Sequence, residues 1–306
     1  MNLREIFSTG KIRDVILDTD AFNEVDDQVA IAYLLSYKDR LKVKGFTVAP
    51  FAPVHNKKVK DVDEGIVRSR EEIEKVLNYI GTDEYNSLIF EGSREFLRNE
   101  YTPVESAAAD HILRVSQNYN RGNRLYIIAI GAITNVASAI LKDRTIVDRI
   151  AVIWLGCSAH GWWRNREFNM YQDIAAARVV MSSGVPFAQL PCQGVVDHLI
   201  TTEWELKARI SGKNALCDYF VENITDYAAS HSKYAAWSKV IWDVAAVAFT
   251  VNDNGRYMKT VETSIRLPSY DKDEYAETLD KTMIYAVQVE RDAIMTDVFD
   301  KISTLM

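Results

Sequence analysis

Apolar positions along the chain fall into short uninterrupted runs separated by stretches of helical period. Val15–Leu17, Val43–Ala49, Leu125–Ile130, Ile150–Leu155 and Phe187–Leu190 are continuous enough to read as strands covered on both faces. Between them, Arg70–Ile80, Val104–Asn118, Asn135–Leu141 and Ile174–Met181 carry helical spacing, and the last stops at Ser183-Gly184-Val185-Pro186, a glycine-proline helix end. Val29–Leu35 is so uniformly apolar that it reads as a helix buried on most sides. Strand and helix alternate, which predicts an α/β fold: an open, mostly parallel, doubly wound, Rossmann-like sheet flanked by helices, with ligands at the carboxyl ends of the strands. His55–Gly65 and Ser269–Thr278 are polar without a period and read as surface loops, Pro53–Asp63 being the candidate closing loop. Neither a repeat nor a Pro/Gly/Ser linker interrupts the pattern, so one domain over residues 1–306 is the expectation.

The first predicted strand ends in Asp18-Thr19-Asp20, and Asp26-Asp27-Gln28 opens the helix that follows. Caps and the helix dipole account for one or two of these carboxylates, at about 0.3–1 kcal/mol each. Four around one turn repel one another unless a cation neutralises them, and ligands that are all oxygen favour Ca²⁺ or Mg²⁺ over Zn²⁺. Other turns after strands carry chemistry too: Gly131-Ala132-Ile133-Thr134-Asn135 after the third, Gly156–Trp163 after the fourth. In Glu167-Phe168-Asn169 an extended chain points carboxylate and amide the same way, which suits a polyhydroxylated ligand, although an ordinary polar loop has the same composition. Asp243 lies within the apolar stretch Val240–Phe249, where it is a candidate metal ligand, a buried salt-bridge partner or a helix cap. Trp162, Trp163, Trp237 and Trp242 offer flat walls for a planar ligand or pack in the core. His55, His111, His160, His198 and His231 have no metal-ligand spacing; His160, in the turn after the fourth strand, is the candidate among them.

Composition narrows the class of partner. The 306 residues carry a formal charge of −7 with no basic stripe, which argues against nucleic-acid binding and for a small-molecule partner. Cys157, Cys192 and Cys217 are widely spaced, forming neither a disulfide framework nor a thiolate zinc motif. The amino terminus has no long apolar segment and no later run is long enough to cross a bilayer, so a cytoplasmic protein without membrane partners is expected.

Taken together and in order, these motifs resemble the nucleoside hydrolase family of the inosine-uridine preferring type. Ile16-Leu17-Asp18-Thr19-Asp20 with Asp26-Asp27 is similar to its amino-terminal aspartate signature, and Gly131-Ala132-Ile133-Thr134-Asn135-Val136-Ala137 to its Gly-Pro-Leu-Thr-Asn turn. Glu167-Phe168-Asn169 with Asp173 is similar to its ribose-binding segment, and Trp242-Asp243 to its late His-Asp pair. The resemblance implies a Ca²⁺-dependent N-ribohydrolase acting on a nucleoside or related riboside, and a homo-oligomer, dimer or tetramer. It implies Ca²⁺ on Asp20, Asp27, the Ile130 carbonyl and Asp243; Asp20 as the base that activates water; and Asp26, Glu167 and Asn169 on the ribose.

Two departures stand out: Ala21–Val25 makes the first turn longer than in the family, marking a distinct branch, and Trp242 replaces the late histidine. In this reading Trp242, with Trp162 or Trp163, stacks on the base, while solvent or His160 protonates it. A sugar-binding protein without turnover is the alternative the missing histidine suggests. A metal-dependent phosphatase using Asp18 and Asp20 is a weaker one, since Phe22 stands where a small hydroxyl residue is expected.

Overall fold

The computed structural model describes residues 2–54, 56, 58–271 and 273–305; His55 lies outside them. The first half of the chain runs α1 (Leu3–Ile6), β1 (Arg13–Thr19), α2 (Asp27–Ser36), β2 (Leu41–Val48), α3 (Val62–Ile80), β3 (Ile89–Phe90), α4 (Ala107–Ser116), β4 (Leu125–Ala129), α5 (Thr134–Lys142) and β5 (Ile150–Leu155). The second half runs α6 (Phe168–Tyr171), α7 (Ile174–Ser182), β6 (Phe187–Leu190), β7 (Ile200–Thr201), α8 (Glu203–Arg209), α9 (Ala215–His231), β8 (Lys239–Val240), α10 (Val244–Thr250), β9 (Met258–Pro268), β10 (Tyr275–Val289) and α11 (Arg291–Ile302).

Eight strands form one sheet in the order β3-β2-β1-β4-β5-β6-β10-β9, parallel throughout except for β9, which pairs antiparallel with β10. The expected open, mostly parallel α/β sheet is therefore borne out. Its inner strands are apolar on both faces because both faces are covered. Val15 and Leu17 of β1 join a core with α2, α3, α9, α10 and α11, whereas Ile16 points into a second core with α4, α5 and α7. β4 and β5 alternate in the same way: Ile128 and Ile153 on one side, Ile127 and Trp154 on the other. Each such fully buried side chain contributes about 1.5–3 kcal/mol of burial free energy. After β1 the chain winds outward through β2 and β3, then returns to place β4 on the opposite side of β1. The crevice between the carboxyl ends of β1 and β4 is thus the topological switch point, where open sheets of this kind hold their ligands.

Two expectations need correction. Residues 62–65 of the expected loop belong to α3, which starts when Asp61 caps the Glu64 amide at 2.9 Å; its first turns are mostly polar, so the apolar period shows only from Arg70 on. Tyr275–Thr278 is likewise strand rather than loop. The start of β10 is mostly exposed, so its residues carry no apolar alternation, and pairing with β9 supplies its order.

Beneath the crevice, Asn135 ties three strand ends together. Its amide donates to Asp18 Oδ1 (2.8 Å) and the Val48 carbonyl (2.9 Å), and its Oδ1 accepts from the Ser93 amide at 2.9 Å. Gly92 makes this approach possible, since a Cβ there would stand 1.7 Å from the Val48 oxygen and 2.7 Å from Asn135 Nδ2. Gly92→Ala is expected to cost at least about 1–3 kcal/mol, as overpacked cores do, and to lower the melting temperature in a thermal unfolding experiment.

Candidate active site

β1 delivers the chain to Asp20 and α2 takes it up at Asp27; the turn between them is pinned from three sides. The Asn23 amide donates to the Asp20 carbonyl (2.7 Å), Gln28 Nε2 to the Ala21 carbonyl (2.7 Å), and the Phe22 amide to Ser69 Oγ on α3 (3.1 Å). So fixed, Asp20, Asp26 and Asp27 line one cavity with Ile130, Glu167, Asn169, Trp242 and Asp243. Asp18 does not line it. Asp18 is fully buried, accepts from Thr47 Oγ1 at 2.6 Å as well as from Asn135, and is raised to about 6 by burial.

The facing wall comes from the turn after β5. Glu167 caps α6, accepting from the amides of Asn169 (2.9 Å), Met170 (3.0 Å) and Cys157 (2.8 Å). The segment is therefore a helical turn and not the extended strand expected from its spacing, yet carboxylate and amide still reach one cavity. Asn169 Nδ2 donates to the carbonyls of Ile130 and Leu155, each at 3.0 Å.

Burial and mutual repulsion govern the acids. Asp20, Asp27 and Asp243 are all held above the ordinary carboxylate range, chiefly by burial. The nearest like charges come next: Asp27 for Asp20, and Asp26 for Asp27, which reaches about 7, and for Asp243. Ligand oxygens of Asp26, Asp27 and Asp243 lie within 4.8 Å of one another. Asp20 stands outside that triple, but its Oδ2 is buried without a hydrogen-bond partner. An all-oxygen, carboxylate-rich set with an unsatisfied buried oxygen fits a hard divalent cation.

Sequence reasoning missed Lys239. Its ammonium is almost completely buried, 2.7 Å from Glu24 Oε2 and 3.4 Å from Asp26 Oδ1, and donates to the Val240 carbonyl at 2.7 Å. Asn23 and Glu24, from the lengthened turn, also line the cavity. A lysine placed just before the apolar stretch that holds Asp243 was the available signal.

The remaining aromatic candidates are placed elsewhere. Trp162 and Trp163 are 40% and 79% exposed and do not line the cavity; the Trp162 ring packs over Gly194, and the Trp163 ring faces the Arg164 guanidinium at 5.8 Å. His160 also lies outside it: the ring stacks on Tyr285 at 4.4 Å and meets Tyr275 edge-on at 4.9 Å. Trp237 lies outside the cavity wall, whereas the half-buried Trp242 belongs to it and gives its backbone N–H to Asp26 Oδ2 at 2.7 Å. His111 Nε2 donates to the Lys44 carbonyl and the ring stacks on Phe90, a packing role.

The architecture is that of the nucleoside hydrolases. A plant nucleoside hydrolase superposes with a TM-score of 0.74 over 95% of this chain and 99% of its own, at 17% identity. The purine-preferring ribonucleoside hydrolase from Gardnerella vaginalis superposes with a TM-score of 0.74 over 96% and 99%, at 20% identity. The inosine-uridine preferring enzyme from Bacillus anthracis gives 0.69 over 95% and 99%, at 15% identity. Residues 15–297 match the sequence model of the inosine-uridine preferring nucleoside hydrolases, and the chain belongs to that metal-dependent family. An uncharacterized protein of Schizosaccharomyces pombe is 32% identical over 110 residues; the match spans 35% of this chain and 34% of that protein. Among the described residues, no helix is long and apolar enough to cross a membrane.

Burial lowers His160 from 6.5 to about 4, with Arg266 adding to the effect. The folded state therefore refuses a proton that the unfolded state accepts, and this contribution to stability is present above pH 6.5 and lost as pH falls toward 4. His160→Gln is expected to flatten the melting temperature against pH across that window, measured beside the parent protein.

Proposed function

We propose that the protein is a Ca²⁺-dependent nucleoside N-ribohydrolase, releasing free base and ribose. The observation that supports this best is the facing of two walls at the switch point: buried aspartates from the β1–α2 turn and Asp243, against Glu167 and Asn169 from the β5–α6 turn. Asp20, Asp27, Asp243 and the Ile130 carbonyl would hold the ion, which when bound supplies Lewis acidity and orients the attacking water. Asp26, Glu167 and the Asn169 Oδ1 accept from the ribose hydroxyls, and the backbone hydrogen bonds on Glu167 keep that carboxylate in place before substrate arrives. Asp20 takes a proton from the attacking water as its oxygen bonds to C1′ and the C1′–N bond breaks. The carboxylates around the sugar stabilise the positive charge that develops on the ribose ring. The departing base leaves along Trp242 and takes its proton from solvent, because His160 packs away from the cavity. In this reading the chain works as one domain, in the cytoplasm and as a homo-oligomer.

A ribose-binding protein without turnover is the second reading, favoured by the tryptophan at position 242. Reducing-sugar release from a panel of purine and pyrimidine ribonucleosides separates the two. Calcium-dependent release, abolished by EDTA and lowered by about 10²–10⁴-fold in Asp20→Asn, is expected for the hydrolase. Bound Ca²⁺ and ribose with no release from any nucleoside supports the binder, and release of inorganic phosphate from phosphoesters would support a phosphatase. Trp242→Ala keeps the backbone N–H on Asp26 and removes only the indole. It is expected to raise KM for nucleosides and narrow the differences between bases, with an unchanged profile removing Trp242 from base recognition.

A further inference from the structure

The three carboxylates of Asp26, Asp27 and Asp243 are close enough together that proximity alone does not say which of them serve a cation and which serve the sugar. Their other partners differ. Asp26 is engaged at both oxygens, by the Trp242 N–H at 2.7 Å and by the Lys239 ammonium at 3.4 Å. Asp27 accepts from the Thr19 hydroxyl, and Asp20 has an oxygen with no partner at all. The positive charge of the site is thus placed on one side, against Asp26.

We propose that Lys239 is a positioning residue that reserves Asp26 for the sugar and leaves Asp20, Asp27 and Asp243 to the metal, with Glu24 as its second anchor. The inference rests on the hydrolase reading above. An ammonium beside Asp26 repels a divalent ion and directs it to the far side of the cluster, while carboxylate lone pairs beyond those used by Lys239 still accept from sugar hydroxyls. The ammonium is rigid: Glu24, Asp26 and the Val240 carbonyl surround it, and β8 pairs with β7 through Lys239 and Thr201. Glu24 reaches it from the turn between β1 and α2. The Tyr227 ring, 5.6 Å from the ammonium, closes the outer side.

The test measures Ca²⁺ and D-ribose affinities by calorimetry, beside nucleoside kinetics, for the full chain. Lys239→Met is expected to weaken ribose about tenfold, as loss of a charged partner does, while Ca²⁺ binds as tightly as before or more tightly. KM should rise more than kcat falls, and Lys239→Arg should restore ribose affinity to within about threefold. A merely structural role would weaken both ligands together, and that result, or unchanged ribose affinity, overturns the proposal. Should Lys239→Met fail to fold, Glu24→Gln carries the same test: a changed ribose affinity at constant Ca²⁺ affinity supports it, and no change in ribose affinity overturns it. A parent protein that binds both ligands but cleaves no nucleoside defeats the hydrolase reading alone, and the affinities still decide the role of Lys239.

Discussion

Carboxylates buried at the end of a parallel sheet are the constraint on which the rest of this structure depends. Asp18, Asp20, Asp26, Asp27, Glu167 and Asp243 are each no more than 5% exposed, and each loses hydration that something must replace. The replacements form a gradient. Asp18 has Thr47 and Asn135, Glu167 has three backbone amides, and Asp26 has a lysine and a backbone amide. Asp27 has the Thr19 hydroxyl and the neighbouring Asp243 carboxyl, and Asp20 keeps a buried oxygen unpaired. Asp18, beneath the cavity, has two side-chain donors on Oδ1 but also keeps Oδ2 without a partner, whereas Glu167 and Asp26 are held at both oxygens. Of the two carboxylates in this set with an unpaired oxygen, only Asp20 lines the cavity, where a bound cation would satisfy it.

Much of this was readable from the chain because the physics is local. A continuous apolar run of strand length between turn signals has few alternatives once both faces must be covered, so β1, β2, β4, β5 and β6 emerge close to their observed bounds. The aspartates of the first turn announce themselves by crowding. The β9–β10 hairpin does not, because its outer half is exposed and its order comes from pairing. The pairing of Lys239 with Glu24 was not legible either: they are 215 positions apart, and only the fold brings them to 2.7 Å. For His160, Trp162 and Trp163 the sequence placed the residues correctly after β5 but gave no direction for the side chains. Stacking on Tyr285 turns His160 away from the cavity and packing over Gly194 does the same for Trp162, while Trp163 stays exposed.

The two departures from the family pattern meet at one carboxylate. The long first turn carries Glu24 to Lys239, and Lys239 reaches Asp26; three residues on, Trp242 gives its N–H to the other oxygen of Asp26. The tryptophan at position 242 therefore cannot be judged in isolation, because the same segment carries a buried ammonium anchored by Glu24. The cavity's outer side is built from this unit, so its shape and charge toward a leaving group follow from the inserted turn as much as from the indole. The aspartates proposed for the metal take their positions from regular elements, Asp20 just past the end of β1, Asp27 at the start of α2 and Asp243 at the start of α10, although the Asn23 amide of the long turn also holds the Asp20 carbonyl. In the proposed reading, the side of the cavity that meets the base and the side that holds the metal are therefore built from different segments, and the division between the two runs through Asp26.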